Sequence, residues 1–181
     1  EAIHLTKSAE YAGADASLLV CPYYNKPSQD GLYAHFRTIA KSTNLPICLY
    51  SIPGRCSVEI GVDTTVRLAG DCQNIVAIKE AGGTPDRVSQ LRAALGKKFA
   101  ILSGDDSMTL PFMSVGAQGV VSVASNIIPR QLVKMVHSYL KGDAKAAQKQ
   151  HDKYYPLFKD LFVETNPVPI KADCAKLGLC L

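Results

Sequence analysis

The stretch Ile75-Val76-Ala77-Ile78-Lys79-Glu80 (IVAIKE, residues 75–80) decides how the chain reads. It is a short apolar run rich in β-branched residues, which is the composition of a buried strand. It ends abruptly in a lysine and a glutamate. Four other apolar runs share that plan: ASLLVC (16–21), PICLYSIP (46–53), FAILSG (99–104) and GVVSVA (119–124). These strands do not alternate apolar with polar residues, as expected of a parallel sheet covered on both faces.

Helical patterns fill the gaps. Residues 1–12 place Ile3, Leu5, Ala9 and Ala12 on roughly one side, and Gly13 ends the helix. Residues 28–43 open on Ser28 as a candidate N-cap, with Leu32, Phe36, Ile39 and Ala40 at helical spacing. Shorter patterns follow at 63–70, begun by Asp63, at 85–95, with Val88, Leu91 and Leu95 inward, and at 107–115. Helices are further predicted over 129–140, 142–161 and 168–178.

Strand–helix alternation leaves two α/β architectures, a (β/α) barrel and a doubly wound sheet. The segments after the strands carry neither GxGxxG nor GxxxxGK[ST]. Polar residues gather there instead: Tyr23, Tyr24, Tyr50, Arg55, Lys79, Glu80, Asp105 and Asp106. Barrel enzymes assemble their sites at the C-terminal ends of the strands, so the barrel is favoured. A closed barrel needs eight strands, of which five are present. The chain opens at Glu1 without a methionine, directly in a helical pattern, and stops just after the last predicted helix. Open sheet edges are avoided in soluble proteins, so the expectation is a piece of a longer protein whose first three strands precede Glu1. The barrel part is expected over 1–141 and a helical C-terminal extension from 142.

Composition excludes several function classes. The net charge of +4 is mild and its lysines and arginines are dispersed, which argues against a nucleic-acid surface. No apolar run approaches the length of a membrane span and nothing resembles a secretory leader. The six cysteines form no CxxC pair, so neither a zinc ribbon nor a disulfide scaffold is expected. They read as reduced thiols of a cytoplasmic protein, with Cys21 and Cys48 as small core residues.

Lys79 is the candidate nucleophile. Apolar surroundings strip hydration from an ammonium, and a neutral amine adds to a carbonyl to give a Schiff base. Taken alone, a lysine at a strand end more often reaches solvent or pairs with a neighbour such as Glu80. Tyr50 ends the preceding strand and is placed to relay protons, against a core-packing role. Arg55, past the rigid Pro53-Gly54 turn, suits a bidentate grip on a carboxylate, against a surface position. Asp105 and Asp106 precede a helix, so that either one of them caps it or the two read as metal ligands. No histidine follows a strand, which weakens a metal-dependent aldolase. His4, His35, His137 and His151 read as exposed or interfacial, and Tyr23-Tyr24 as a rim or subunit contact.

Taken together, PYYNKPSQDGLYAHF (22–36), LYSIPGR (49–55), IKEAGG (78–83), LSGDDSMTLPFMSVGAQGVVSVASNIIP (102–129) and LFVETNPVPIKADCAKLGL (161–179) resemble the dihydrodipicolinate synthase family. That family, whose activity is 4-hydroxy-tetrahydrodipicolinate synthase, lies within the N-acetylneuraminate lyase superfamily. The resemblance runs from Glu1 to Leu181 in order. It implies a (β/α)8 barrel with a helical extension, a homotetramer, and a lyase without metal or organic cofactor. Lys79 would form the imine with pyruvate, Tyr50 would relay protons and Arg55 would hold the second substrate, aspartate 4-semialdehyde. Tyr24 would reach across a dimer interface into the partner's site. Gly104 and Val121 would line the pyruvate pocket with main chain, and Tyr23 and Glu1 would meet a lysine feedback inhibitor. IKEAGG and SGDDS favour the synthase over the sialic-acid lyases, while sugar-acid aldolases share the imine lysine and the tyrosine.

The family's threonine pair and glycine-rich turn, near its first two strands, have no counterpart here. The hydroxyl that completes the relay and part of the carboxylate pocket are therefore expected outside this chain, and a 181-residue product is expected to lose most activity and stability. A non-catalytic fragment or paralogue with a structural role is the rival from another class.

Overall fold

The computed structural model describes all 181 residues. They divide into two compact units, Glu1–Leu102 and Ser103–Leu181.

The first unit runs α1 (Ala2–Tyr11), β1 (Ser17–Val20), α2 (Gln29–Ala40), β2 (Ile47–Ser51), α3 (Pro53–Cys56), α4 (Val62–Asp71), β3 (Ile75–Glu80) and α5 (Pro85–Leu95), and ends in β4 (Ala100–Ser103). The strands pair in chain order, β1-β2-β3-β4. β1 pairs with β2 and β2 with β3 in parallel, with a register shift at Ile47/Cys48. Period-two alternation sends Ile47, Leu49 and Ile78 into a core completed by Leu32 and Phe36 of α2, Leu68 of α4 and Val88 and Leu91 of α5. The opposite face of the sheet carries Leu18, Val20, Cys48, Tyr50, Ala77 and Lys79 by the same alternation. There Leu18 and Val20 are exposed, so the expectation of strands covered on both faces fails on this side.

Local chemistry explains the boundaries. The Ser28 hydroxyl accepts from the Gly31 N–H at 3.2 Å and starts α2 as expected. α4 begins one residue ahead of Asp63, and its Gly61 N–H donates to Gln29 Oε1 at 2.8 Å. The Asn74 side-chain amide donates to the carbonyls of Ala40, Thr43 and Leu45, tying the turn after α2 to the start of β3.

The second unit contains α6 (Thr109–Ser114), β5 (Gly119–Val120), a 3-10 turn (Ala124–Asn126), α7 (Pro129–Leu140), α8 (Ala144–Asp160) and α9 (Val168–Lys176). Its core gathers Ala124, Leu132, Met135, Phe158, Leu161 and Ile170. The strand expected over 119–124 is cut to two residues. Asp106 Oδ2 accepts from the N–H groups of Val123 and Ala124 at 2.9 and 3.1 Å and bends the chain out of the ladder. No helix is long and apolar enough to cross a membrane. His4 and His137 are exposed, whereas His35 and His151 pack against aromatic rings and are half-buried.

All six cysteines are free thiols. Cys21 is fully buried as expected, while Cys48 is only half-buried. Burial above all, with Cys56 beside it, pushes the Cys21 thiol from 9.0 to about 12. A folded value above the unfolded one contributes stability that is full below pH 9.0 and lost as pH rises through about 12. Cys21→Ala is therefore expected to flatten the alkaline fall of the urea midpoint. Parallel slopes for variant and wild type above pH 9.0 would count against it.

Candidate active site

β2 and β3 end side by side, with Tyr50 opposite Lys79 and Ser51 opposite Glu80. Strand alternation then sorts these four side chains onto two faces. Tyr50 and Lys79 share the face away from the helices, where Lys79 Nζ sits over the Tyr50 ring, 3.8 Å from its centroid. Such a contact is worth about 0.5–2 kcal/mol and fixes the end of a flexible side chain. Burial raises the Tyr50 hydroxyl above its ordinary 10.0, and the nearby positive charge of Arg55 opposes that rise. At neutral pH the phenol is thus protonated and able to donate. Cys48 lies on the same face two residues before Tyr50 and close to Lys79. Burial pushes its thiol up to about 11, which leaves it a neutral lining group.

Arg55 follows from the turn after β2. Pro53 opens the one-turn α3, and Ser57 closes it at φ 55, the left-handed region. This turn places Arg55 within electrostatic reach of the Tyr50 hydroxyl. Lys79, Tyr50 and Arg55 therefore stand at neighbouring strand ends.

Glu80 does not pair with Lys79, because it points to the helix side of the sheet. Its carboxylate is fully buried and accepts from Arg87 Nε at 2.7 Å and from the Gly82 N–H at 2.6 Å. Arg87, 7% exposed, also contacts Glu59 Oε2 at 3.2 Å and donates to the Ile60 carbonyl. This cluster lay outside the sequence-based site. Its signals were Arg87 beside Val88 on the inward side of α5 and the odd–even alternation of β3.

The remaining candidates lie elsewhere. Tyr23 and Tyr24 occupy the segment after β1 and are exposed, Tyr24 by 94% and at φ 71. Glu1 is exposed at the start of α1. Gly104 and Val121 belong to the second unit, where the Val121 N–H donates to the Ser103 carbonyl at 2.8 Å. Asp105 Oδ1 accepts from the Ser107 N–H and hydroxyl, both at 2.7 Å. Neither aspartate caps the helix that follows, whose N-cap is Met108 without a side-chain bond: Asp105 closes a local turn onto Ser107, and Asp106 holds the N–H groups at the start of the 3-10 turn. No three His, Cys, Asp or Glu side chains converge as metal ligands would.

The sequence profile of the Dihydrodipicolinate synthetase family matches residues 1–181. The chain belongs to the dihydrodipicolinate synthetase family. The 4-hydroxy-tetrahydrodipicolinate synthase of Aquifex aeolicus is 51% identical over 99% of this chain and 61% of its own length. The solved structure of the 4-hydroxy-tetrahydrodipicolinate synthase from Methylacidiphilum fumariolicum SolV is 60% identical. It superposes with a TM-score of 0.98 over 99% of this chain and 60% of that one. A dihydrodipicolinate synthase from Acinetobacter baumannii, solved as a complex with pyruvate, is 44% identical. Its TM-score is 0.95 over 99% of this chain and 61% of that one. Membership of the dihydrodipicolinate synthetase family fixes the fold class as the α/β barrel, of which this chain carries five βα units. It spans about three-fifths of the length of these relatives.

Proposed function

We propose that the protein to which this chain belongs condenses pyruvate with aspartate 4-semialdehyde through a Schiff base on Lys79. The product is 4-hydroxy-tetrahydrodipicolinate, on the route to diaminopimelate and lysine. The observation that carries this reading is the amine of Lys79 resting on the ring of Tyr50 at 3.8 Å. The neutral amine adds to the ketone carbon of pyruvate, and the carbinolamine sheds water when a phenol proton is delivered to its oxygen. The protonated imine then loses a methyl proton to give the enamine. The enamine carbon bonds to the aldehyde carbon, whose oxygen takes up a proton, and attack of the second substrate's own amine on the imine carbon then closes the ring and expels the Lys79 amine. The imine is itself the electron sink, so the residues need no metal or organic cofactor.

Arg55 holds a substrate carboxylate at the rim, and Tyr24 enters the site of a partner subunit within a homotetramer. The main chain at Gly104 and Val121 lines the pyruvate pocket. Tyr23 and Glu1 meet lysine acting as a feedback inhibitor. This reading places the enzyme in the cytoplasm, with its barrel part over 1–141 and its helical extension over 142–181.

Tyr50→Phe tests the relay. The ring that carries Lys79 is kept and only the hydroxyl is lost. Formation of the borohydride-trapped pyruvate adduct is expected to slow by about 10²–10⁴-fold, the range for a lost general acid–base group, with the urea midpoint little changed. Trapping at the wild-type rate would remove Tyr50 from the mechanism.

A further inference from the structure

The reactive face of the β2–β3 pair is backed by a closed ring of polar contacts. Each member stands one residue along from a site residue, or is bonded to one that does. Ser51, next to Tyr50, is fully buried, and its hydroxyl accepts from the Ile60 N–H at 3.3 Å. The Ile60 carbonyl accepts from Arg87, whose Nε donates to Glu80 at 2.7 Å. Glu80, next to Lys79, is the register partner of Ser51, and the Ala81 N–H donates to the Ser51 carbonyl at 2.9 Å. The ring therefore runs Glu80, Arg87, Ile60, Ser51 and back across the ladder to Glu80.

Two further ties stiffen it. Gln29 Nε2 donates to the Glu59 carbonyl at 2.8 Å, and Gln29 Oε1 accepts from the Gly61 N–H at 2.8 Å, so α2 grips both flanks of Ile60. Gly82 folds back so closely that a Cβ there would lie 2.7 Å from Glu80 Oε1 and 2.9 Å from Glu59 Oε1. Only the N–H of a residue without a side chain reaches the buried carboxylate at that point.

A buried ion pair is weak as a source of stability, since apolar residues of similar volume often do as well or better. Its directional bonds do something that apolar packing does not. They set the rotation and height of a strand end.

We propose that the Glu80–Arg87 pair is a positioning device for the reacting amine. By pinning the outer side of residue 80 to Ile60 and Ser51, it holds the preceding residue, Lys79, over the ring of Tyr50. This rests on the Lys79 Schiff-base reading, and the test separates the two.

The test uses the intact protein to which this chain belongs and its double variant Glu80→Leu/Arg87→Met, which replaces the pair by apolar groups of similar size. Urea denaturation reports folding. Borohydride trapping across pyruvate concentrations separates the saturating rate from the half-saturation point. The ¹³C spectrum of reductively dimethylated Lys79 reports ring stacking without any pyruvate. Expected is a urea midpoint at or above wild type and a saturating rate lower by about 10²-fold, the scale set by an ångström of misplacement. The half-saturation point should move little, and the upfield methyl signal of an amine over an aromatic face should be lost. A folded double variant that traps at the wild-type rate and keeps that signal overturns the proposal.

Should the double variant fail to fold, Arg87→Ala with added methylguanidinium decides. Restored trapping and a restored upfield signal support positioning, and no restoration overturns it. If the intact protein to which this chain belongs gives no adduct, the Schiff-base reading fails while the methyl signal still judges the positioning.

Discussion

Lys79→Arg is expected to abolish the covalent adduct that pyruvate and borohydride leave on the peptide containing residue 79. A guanidinium keeps the positive charge and can stack on the Tyr50 ring, so the fold should survive with a urea midpoint close to wild type. It cannot become a neutral nucleophile near neutral pH, and without that nucleophile the route through imine and enamine is closed. Loss of a covalent nucleophile lowers turnover by about four to six orders of magnitude, so any reaction left should be near background. The measurement is peptide mass spectrometry after trapping, wild type against variant. An adduct of equal yield elsewhere in the chain, with residue 79 unmodified in wild type, would sink the assignment.

Arg87→Met alone is expected to give the largest stability loss of any single change in the first unit. It removes three contacts at once: the 2.7 Å bond to Glu80, the 3.2 Å approach to Glu59, and the bond to the Ile60 carbonyl. Glu80 is left buried with only the Gly82 N–H as partner. Burial already raises the Glu80 carboxyl, while Arg87 and the Gly82 N–H pull it down. Breaking a buried pair from one side costs about 3–5 kcal/mol, so the urea midpoint should fall sharply. Since Arg87 is what restrains the carboxyl, the loss should be smaller in acid, where Glu80 is protonated and no charge is stranded. A fall of equal size at pH 5 and pH 8 would show that packing, not charge, carries the effect.

Much of this was legible in the sequence where the signal was local. β3, α5 and α7 begin and end where the apolar runs and the Pro85 and Pro129 starts put them. The Ser28 cap and the turn carrying Arg55 followed from neighbouring residues alone. What escaped was set by contacts between distant parts of the chain. The truncation of β5 depends on Asp106, a carboxylate many positions upstream that claims two amide groups of the expected strand. The partner of Glu80 was obscured by an adjacent lysine that faces the other way. Ile60 announced nothing, because its part in the ring is played by main chain.

The alternation along β2 and β3 separates two demands that adjacent residues usually share. Positions 51 and 80 belong to the framework and tolerate little, whereas positions 48 and 77 face the chemistry and take no part in the ring. Variation confined to Cys48 and Ala77 should thus reshape the floor beneath the amine while the scaffold keeps its melting point. A library at those two sites, screened against a series of aldehydes, would let substrate preference evolve separately from folding.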